Sequence, residues 1–434
     1  MPVSVAIVGS GPAGFYTAAA LADSVDDVQI DIIERLAAPY GLVRDGVSPD
    51  HQTTKNICRK FEKTAMLESV RYFGNVDIGR DVKLAELREI YDAVVLAVGA
   101  PQDRALDIPG TDKAGVIGAA SFVYWYNGHP DYRNIAPDLD VSAAAVIGVG
   151  NVAMDIARML CLSEAELAAT DLPEYAETAI NESPLTDVYM LGRRGAADAK
   201  FTNVELRELA GMDECTPVVR TEQLPDGVEG DYSDRDKRLR ERNLETLWEY
   251  SVLDADAKSK RIHLEFNASP VEILGQDRVE GIRLERTKVE DGRAVGTGEF
   301  FDIPCGLVVA AIGYHGAPIE GAPFDEKRGI IPNEDGRVGE GLYAAGWIKR
   351  GPTGVISSNR PDGVSVAEHL RDDFSDGGNK PGRQAFKTML QDRNIRAVSF
   401  EDWKKIEAAE LAGAEGSRPR KKFVVIEDML AVLD

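Results

Sequence analysis

Twice in this chain an apolar run ends in a glycine-rich turn and continues, without a break, as an alanine-rich helix. The first instance is VSVAIVG (3–9) with the turn GSGPAG and the helix FYTAAALADS; the second is VSAAAVIGVGNVAMDIARML (141–160). A further apolar strand follows each, VQIDIIE (28–34) and TDVYMLGRRG (186–195). A strand that feeds a helix and then another strand at this spacing is a βαβ unit, and such units build parallel sheets covered by helices. The repeat predicts an α/β fold with two Rossmann-like dinucleotide-binding domains.

Glycine spacing alone is weak ground, because 41 glycines among 434 residues produce a GxGxxG by chance about 0.4 times. The strand-to-helix context carries the argument. In the first unit Gly9 permits the tight turn, Gly11 lets a pyrophosphate reach the backbone, and Gly14 lets helix and strand approach, while Pro12 and Ala13 open the helix. Glu34 ends the next strand, where a carboxylate accepts ribose hydroxyls. The second unit has Gly148, Gly150 and Ala153, then Gly192, Arg193 and Arg194 in the place of that carboxylate. Two guanidiniums offer planar donor forks to a 2′-phosphate. One site with a carboxylate and one with arginines points to FAD first and NADP second.

Lys plus Arg number 50 against 73 Asp plus Glu, a formal charge of −23 that repels nucleic acid and anionic membranes. The longest stretch free of charged residues, Ala114–Pro130, is interrupted by glycine, asparagine and proline and is too short to span a bilayer. Met1 and Pro2 pass straight into an apolar run without a basic leader, so a cytoplasmic location is expected. Cys58, Cys161, Cys215 and Cys305 form no CxxC, which removes zinc ribbons, locally spaced iron–sulfur clusters and a redox dithiol; no metal site is expected.

Further buried strands are expected at YDAVVLAVG (91–99), GLVVAAIG (306–313) and GLYAAGW (341–347). Residues 162–186 read as a surface excursion, and the charged run 228–242 as a solvated loop entering a helix at NLETLWEY. Strands at 261–266 and 279–286, with VEDGRAVGTGE as a turn-like insertion, read as a β-meander. The tail from Asp372 is polar and partly helical, with an apolar end.

In GVSPDHQTTKNICRKFEK, Ser48 reads as an N-cap and Pro49 as the first helical residue, which puts His51 in the first turn, where the positive helix end favours neutral imidazole. Spacing alone leaves open whether His51 packs or reacts. GWIKRGPTGVISSN (346–359) sets Trp347 beside a glycine-rich turn whose free N–H groups suit an electron-rich acceptor such as a reduced flavin edge, although an ordinary strand-to-helix loop would read the same.

PYGLVRDGVSPDH (39–51), GVGNVAMDIAR (148–158), GRRG (192–195), FTNVELREL (201–209) and GWIKRGPTGVI (346–356), in that order, resemble the adrenodoxin-reductase-like family of ferredoxin–NADP reductases over nearly the whole chain. The resemblance implies an FAD domain built from both chain ends, 1–103 and 313–434, with an NADP domain inserted at 104–312. It implies catalytic roles near the nicotinamide for His51, Asp155 and Glu205. It places Asn151, Arg193 and Arg194 on the NADP side and Trp347, Gly354 and Ile356 at the isoalloxazine, and Gly41, Leu42, Val82, Gly99, Gly148, Gly150, Val152, Glu205 and Val355 are expected among the cofactor-binding residues. The implied reaction is hydride transfer from NADPH to FAD, then single-electron transfer to a small ferredoxin-type iron–sulfur protein. Such a partner would dock on Arg207 and on the cations Arg235, Lys237, Arg238, Arg240 and Arg242. After GRRG the chain reads AADAK, and after GVI it reads SSNRPDG, both departures from the family pattern. A glutamate-synthase small-subunit-like NADPH oxidoreductase shares the two-fingerprint layout but expects an N-terminal cysteine-rich domain, whereas Cys58 is the first cysteine here. A non-catalytic dinucleotide-binding redox sensor is the remaining alternative.

Overall fold

Every residue of Val3–Val8 is buried, as a strand covered on both faces must be, and it pairs in parallel with Val28–Ile33 and Ala93–Leu96. In the computed structural model, which describes residues 1–434, it lies inside a six-stranded sheet. The order is Arg337–Gly339, Leu342–Ala344, Ala93–Leu96, Val3–Val8, Val28–Ile33, Val70–Phe73, and only Arg337–Gly339 runs antiparallel to its neighbour. A second six-stranded sheet repeats the plan in fully parallel form. Ala143–Ile147 sits between Asp187–Leu191 and Leu307–Ala310, as Val3–Val8 sits between its two neighbours. Val116–Gly118 pairs with Leu307–Ala310, and Lys260–Glu265 and Cys215–Val218 extend the opposite side.

The chain passes between the sheets at Gln102–Asp103 and again at Tyr314–His315, and these two segments pair as a short antiparallel ribbon. The Asp103 carboxylate also accepts from the Ala120 amide at 2.6 Å and the Ser121 amide at 3.1 Å, which ties the crossing to the helix Ala119–Asn127.

Four expectations are corrected. Residues 162–186 are not a surface excursion: they hold the helices Glu164–Ala168 and Glu174–Asn181, and Leu167, Leu172, Ala176, Ile180 and Leu185 are buried in the main core. The Ser163–Glu166 capping box nucleates the first of these helices. The charged run 228–242 is helical from Asp234 onward, in the helix Asp234–Tyr250, because Ser233 caps it by accepting from the Asp236 amide at 3.1 Å. Lys260–Glu265 belongs to the second parallel sheet, and the meander is Ala268–Leu274, Gly281–Glu290 and Arg293–Ile303. Of the supposed insertion only Asp291 and Gly292 turn; both have positive φ, so the pair closes a tight hairpin whose twist matches its strands. The helix after Ser48 starts later than expected: it is Gln52–Lys55, with His51 in the N-cap place. The Ser48 hydroxyl caps nothing and has no hydrogen-bond partner.

The tail returns to the first sheet. Trp403, on the helix Phe400–Ala412, is fully buried against Tyr40 and lies under the Arg44 guanidinium. Arg44 meets Glu410 of the same helix through a two-pronged ion pair, 2.5 and 2.9 Å, and both side chains are buried.

Candidate functional site

Gly9 has φ +107°, and a Cβ there would run into the Ala97 carbonyl; Gly148 has φ +141°, and a Cβ would meet the Ala311 carbonyl. The two turns are thus built alike, each backed against the strand that flanks its own. Gly11 and Gly150 face open space, and each is the N-cap of a helix, Pro12–Ser24 and Asn151–Cys161, that no side chain caps. Both helices therefore present their first amides outward, the arrangement that receives a phosphate.

Around the first turn the chain brings distant segments together. A Cβ on Gly41 would lie 3.1 Å from Gly11, and the Tyr40 amide donates to the Ser10 carbonyl at 3.1 Å. A Cβ on Gly346 would press on Ala13, and Gly363 on Asn359–Asp373 abuts the Tyr16–Thr17 backbone, so Trp347 and the loop 351–356 are held beside the first fingerprint. Gly99, at φ +74°, follows the backing strand and faces open space. Leu42 begins the short helix beside Gly41. Glu34 is aimed by Ser10, whose amide and hydroxyl donate to it at 2.9 and 2.7 Å. In the loop, the Gly354 amide has no acceptor within the chain, whereas the Val355 amide is taken by the Ser358 hydroxyl at 3.1 Å. The expectation of a run of free amides is corrected accordingly. Ile356 starts the short turn Ile356–Ser358, and Val355 is 62 % exposed. Trp347 donates its indole N–H to the Thr353 carbonyl at 3.1 Å and lies 5.7 Å from the Tyr314 ring. Val82 differs from these residues: its side chain is core, packed with Val8 and Ile33. These residues fit a dinucleotide whose pyrophosphate meets the Gly11 turn.

At the second turn, the Asn151 side chain accepts from the Thr202 amide at 2.9 Å, joining the fingerprint helix to the helix Asn203–Glu208. Val152, next along, packs partly buried against the main core. The segment after GRRG is held by the Val149 carbonyl, which accepts from the Lys200 and Phe201 amides. Arg193 is exposed and forms no ion pair, and Arg194 has only Asp198, at 3.8 Å. Both guanidiniums keep donors for a phosphate. Arg240, grouped above with the docking cations, is occupied instead: it bonds Asp198 at 3.1 Å and lies over the Tyr232 ring. Arg207, Arg235, Lys237, Arg238 and Arg242 are exposed.

A cluster of charge forms where residues 50–51 meet the helices Asn151–Cys161 and Asn203–Glu208. His51 Nε2 is 3.1 Å from Glu208 and 3.6 Å from Glu205, and its Nδ1 is 3.9 Å from Asp155. The structure thus brings His51, Asp155 and Glu205 together and adds three residues that the sequence reading missed: Asp50, Arg158 and Glu208. Arg158, almost fully buried, bonds Asp50 at 2.9 and 3.2 Å, Asp155 at 2.8 Å, Glu205 at 3.2 Å and Glu208 at 2.6 Å. A signal was available. Asp155 with Arg158, and Glu205 with Glu208, stand three apart on helices and so share a face.

Burial, with Glu205 beside it, pushes the Asp155 carboxyl up to about 7 against the pull of Arg158 and His51. Burial acts the same way on Asp50, but there Arg158 prevails and holds the carboxyl below its usual value. The Tyr126 hydroxyl is buried without a hydrogen-bond partner. His51, Glu205 and Glu208 bring potential ligand atoms within 4.8 Å of one another, yet Arg158 already bonds both glutamates.

Residues 3–194 match the family described as pyridine nucleotide-disulphide oxidoreductase. The mitochondrial NADPH:adrenodoxin oxidoreductase of Arabidopsis thaliana is 40% identical, covering 99% of this chain and 95% of its own; that of Homo sapiens is 41% identical, covering 99% and 91%. The NADPH-ferredoxin reductase FprA of Mycobacterium tuberculosis is 40% identical over 99% of both chains. A solved structure of that protein in complex with NADPH superposes with a TM-score of 0.95 at 39% identity, covering 100% of this chain and 99% of the other. This chain belongs to the family of the NADPH:adrenodoxin oxidoreductases and NADPH-ferredoxin reductases.

Proposed function

We propose that this protein is an FAD-dependent NADPH reductase of ferredoxin-type iron–sulfur proteins. The observation that carries the reading is the pair of uncapped fingerprint helices, one turn followed by Glu34 and the other by Arg193 and Arg194, with His51 of the first part meeting Asp155 on the second fingerprint helix and Glu205 beyond it. Gly11, Gly41, Glu34, Trp347 and Gly354 would hold FAD, and Gly150, Asn151, Arg193 and Arg194 would hold NADPH. Bound FAD supplies the conversion of a two-electron donor into single electrons. His51, Asp155 and Glu205 would orient the nicotinamide toward the flavin, and Asp155 can hold or release a proton near neutrality.

The ribbon at 102–103 and 314–315 supports a division into an FAD domain of 1–103 and 313–434 and an NADP domain of 104–312. Arg207, Arg238 and Arg242, exposed on adjoining helices, are proposed to receive an acidic ferredoxin. No helix is long and apolar enough to cross a membrane. The four free cysteines support a reducing compartment, and we place the enzyme in the cytoplasm. Coverage of the reductase relatives over 99% of the chain favours this reading over a glutamate-synthase small chain. The test is colour and turnover: a yellow protein whose NADPH-dependent cytochrome c reduction requires added ferredoxin. A yellow protein that never turns over would be a sensor or scaffold that merely holds its cofactors, and a colourless one would overturn the FAD reading.

A further inference from the structure

We propose that Arg158 is a positioning residue that latches loop 48–51 of the FAD-side part onto the NADP-side part, and so sets where His51 stands. The inference rests on the hydride-transfer reading above. A guanidinium has five N–H donors, and here five contacts use them: two to Asp50 and one each to Asp155, Glu205 and Glu208. Asp50 comes from the FAD-side loop, immediately before His51; the other three carboxylates come from two helices of the inserted part. One buried side chain therefore joins the two bodies at the residue next to the histidine.

The placement is over-determined in a way a simple surface pair is not. The Arg158 side chain is 3% exposed and Asp50 only 23%, so water does little to weaken their attraction. The Asp50 contact is two-pronged, which fixes angle as well as distance. Beside it the Pro49 carbonyl accepts from the Asp171 amide at 3.3 Å, and Asp171 holds Lys55 at 2.7 Å, so the NADP side grips residues 49–55 at both ends. Lysine, with three donors on a compact head, cannot reproduce the planar fork.

The test uses the FAD-loaded enzyme and two mild variants, Asp50→Asn and Arg158→Lys, with their double. Hydrogen–deuterium exchange of the loop amides, His51 and Gln52 among them, is read without nucleotide; each single variant should speed exchange about tenfold, and the double no more than either alone. Stopped-flow flavin reduction by NADPH should slow about ten- to a hundredfold while NADP⁺ affinity stays within about threefold, because orientation and not binding is lost. Unchanged loop protection in Asp50→Asn would overturn the proposal, as would additive effects of the two substitutions. Should Arg158→Lys not fold, Asp50→Asn decides alone. Wild-type enzyme that NADPH does not reduce would instead refute the hydride-transfer reading, leaving the exchange result to stand by itself.

Discussion

Arg193 projects into solvent with no carboxylate to satisfy it, and Arg194 has one distant partner, so their charge is available to a ligand. Losing one charge-assisted phosphate contact costs about 1.5–3 kcal/mol. Arg193→Ala and Arg194→Ala should each weaken NADPH about ten- to a hundredfold and leave NADH unchanged, as KM values for the two nucleotides will show. His51 caps no helix with its side chain, and its ring nitrogens face the carboxylates of Glu208, Glu205 and Asp155. His51→Gln should keep FAD but slow flavin reduction in stopped flow, and a native rate would return it to packing. Asp155 predicts a pH dependence. It faces Arg158, His51, Glu205 and Asp50, with Tyr126 and Tyr314 nearby, and burial brings it to about 7. An ionised Asp155 would stabilise positive charge developing on the nicotinamide, so flavin reduction should rise as pH passes through about 7, and Asp155→Asn should abolish the rise. Stability runs the other way. A carboxyl raised in the folded state binds its proton there while the unfolded chain has released it, so this group's contribution declines from about pH 4 to about pH 7.

At the scale of elements, the helix Asp234–Tyr250 shows how a short capping signal overrides a charged composition. Ser233 and Asp236 start the helix inside a stretch whose charge density suggests a loop. The consequence is functional, because a helix presents its cations at fixed intervals. Arg238 and Arg242 stand four apart and share a face, and the neighbouring helix Asn203–Glu208 carries the exposed Arg207. If this face receives ferredoxin, Arg238→Glu with Arg242→Glu should raise KM for ferredoxin and leave ferricyanide reduction unchanged. Ferredoxin turnover should also fall more steeply with ionic strength than the ferricyanide activity does. Equal loss of both activities would mean that the substitutions damaged the fold.

The whole molecule is closed by contacts between chain ends. Glu410 is fully buried and pairs with Arg44, 366 residues earlier; burial opposes its charge, but the guanidinium holds its carboxyl below the usual range. Glu410→Gln would leave the buried Arg44 with only Asp45, at 3.7 Å, as an ion-pair partner, and should lower stability by about 3 kcal/mol in denaturant unfolding of the FAD-loaded enzyme. A loss below about 1 kcal/mol would show that water or movement relieves the charge. With a folded-state carboxyl held low, the pair's stabilisation is present above about pH 4.5 and is lost as pH falls below it.

What the sequence determined by itself was local: the two glycine turns, the strands that feed them, Glu34 and the arginine pair. In each the backbone conformation and the groups it offers come from a few adjacent residues, so spacing is enough to read them. His51, Asp155 and Glu205 came within reach through the resemblance, but their mutual distances did not. Only the tertiary structure decided that Arg158 reaches Asp50, 108 residues before it, and that Glu208 rather than Glu205 lies nearest His51. It also buried Leu167, Leu172, Ala176, Ile180 and Leu185, apolar positions that carry no mark in sequence of the core they join. Such contacts depend on how two sheets and a returning tail pack against one another, and packing joins residues that no sequence interval relates.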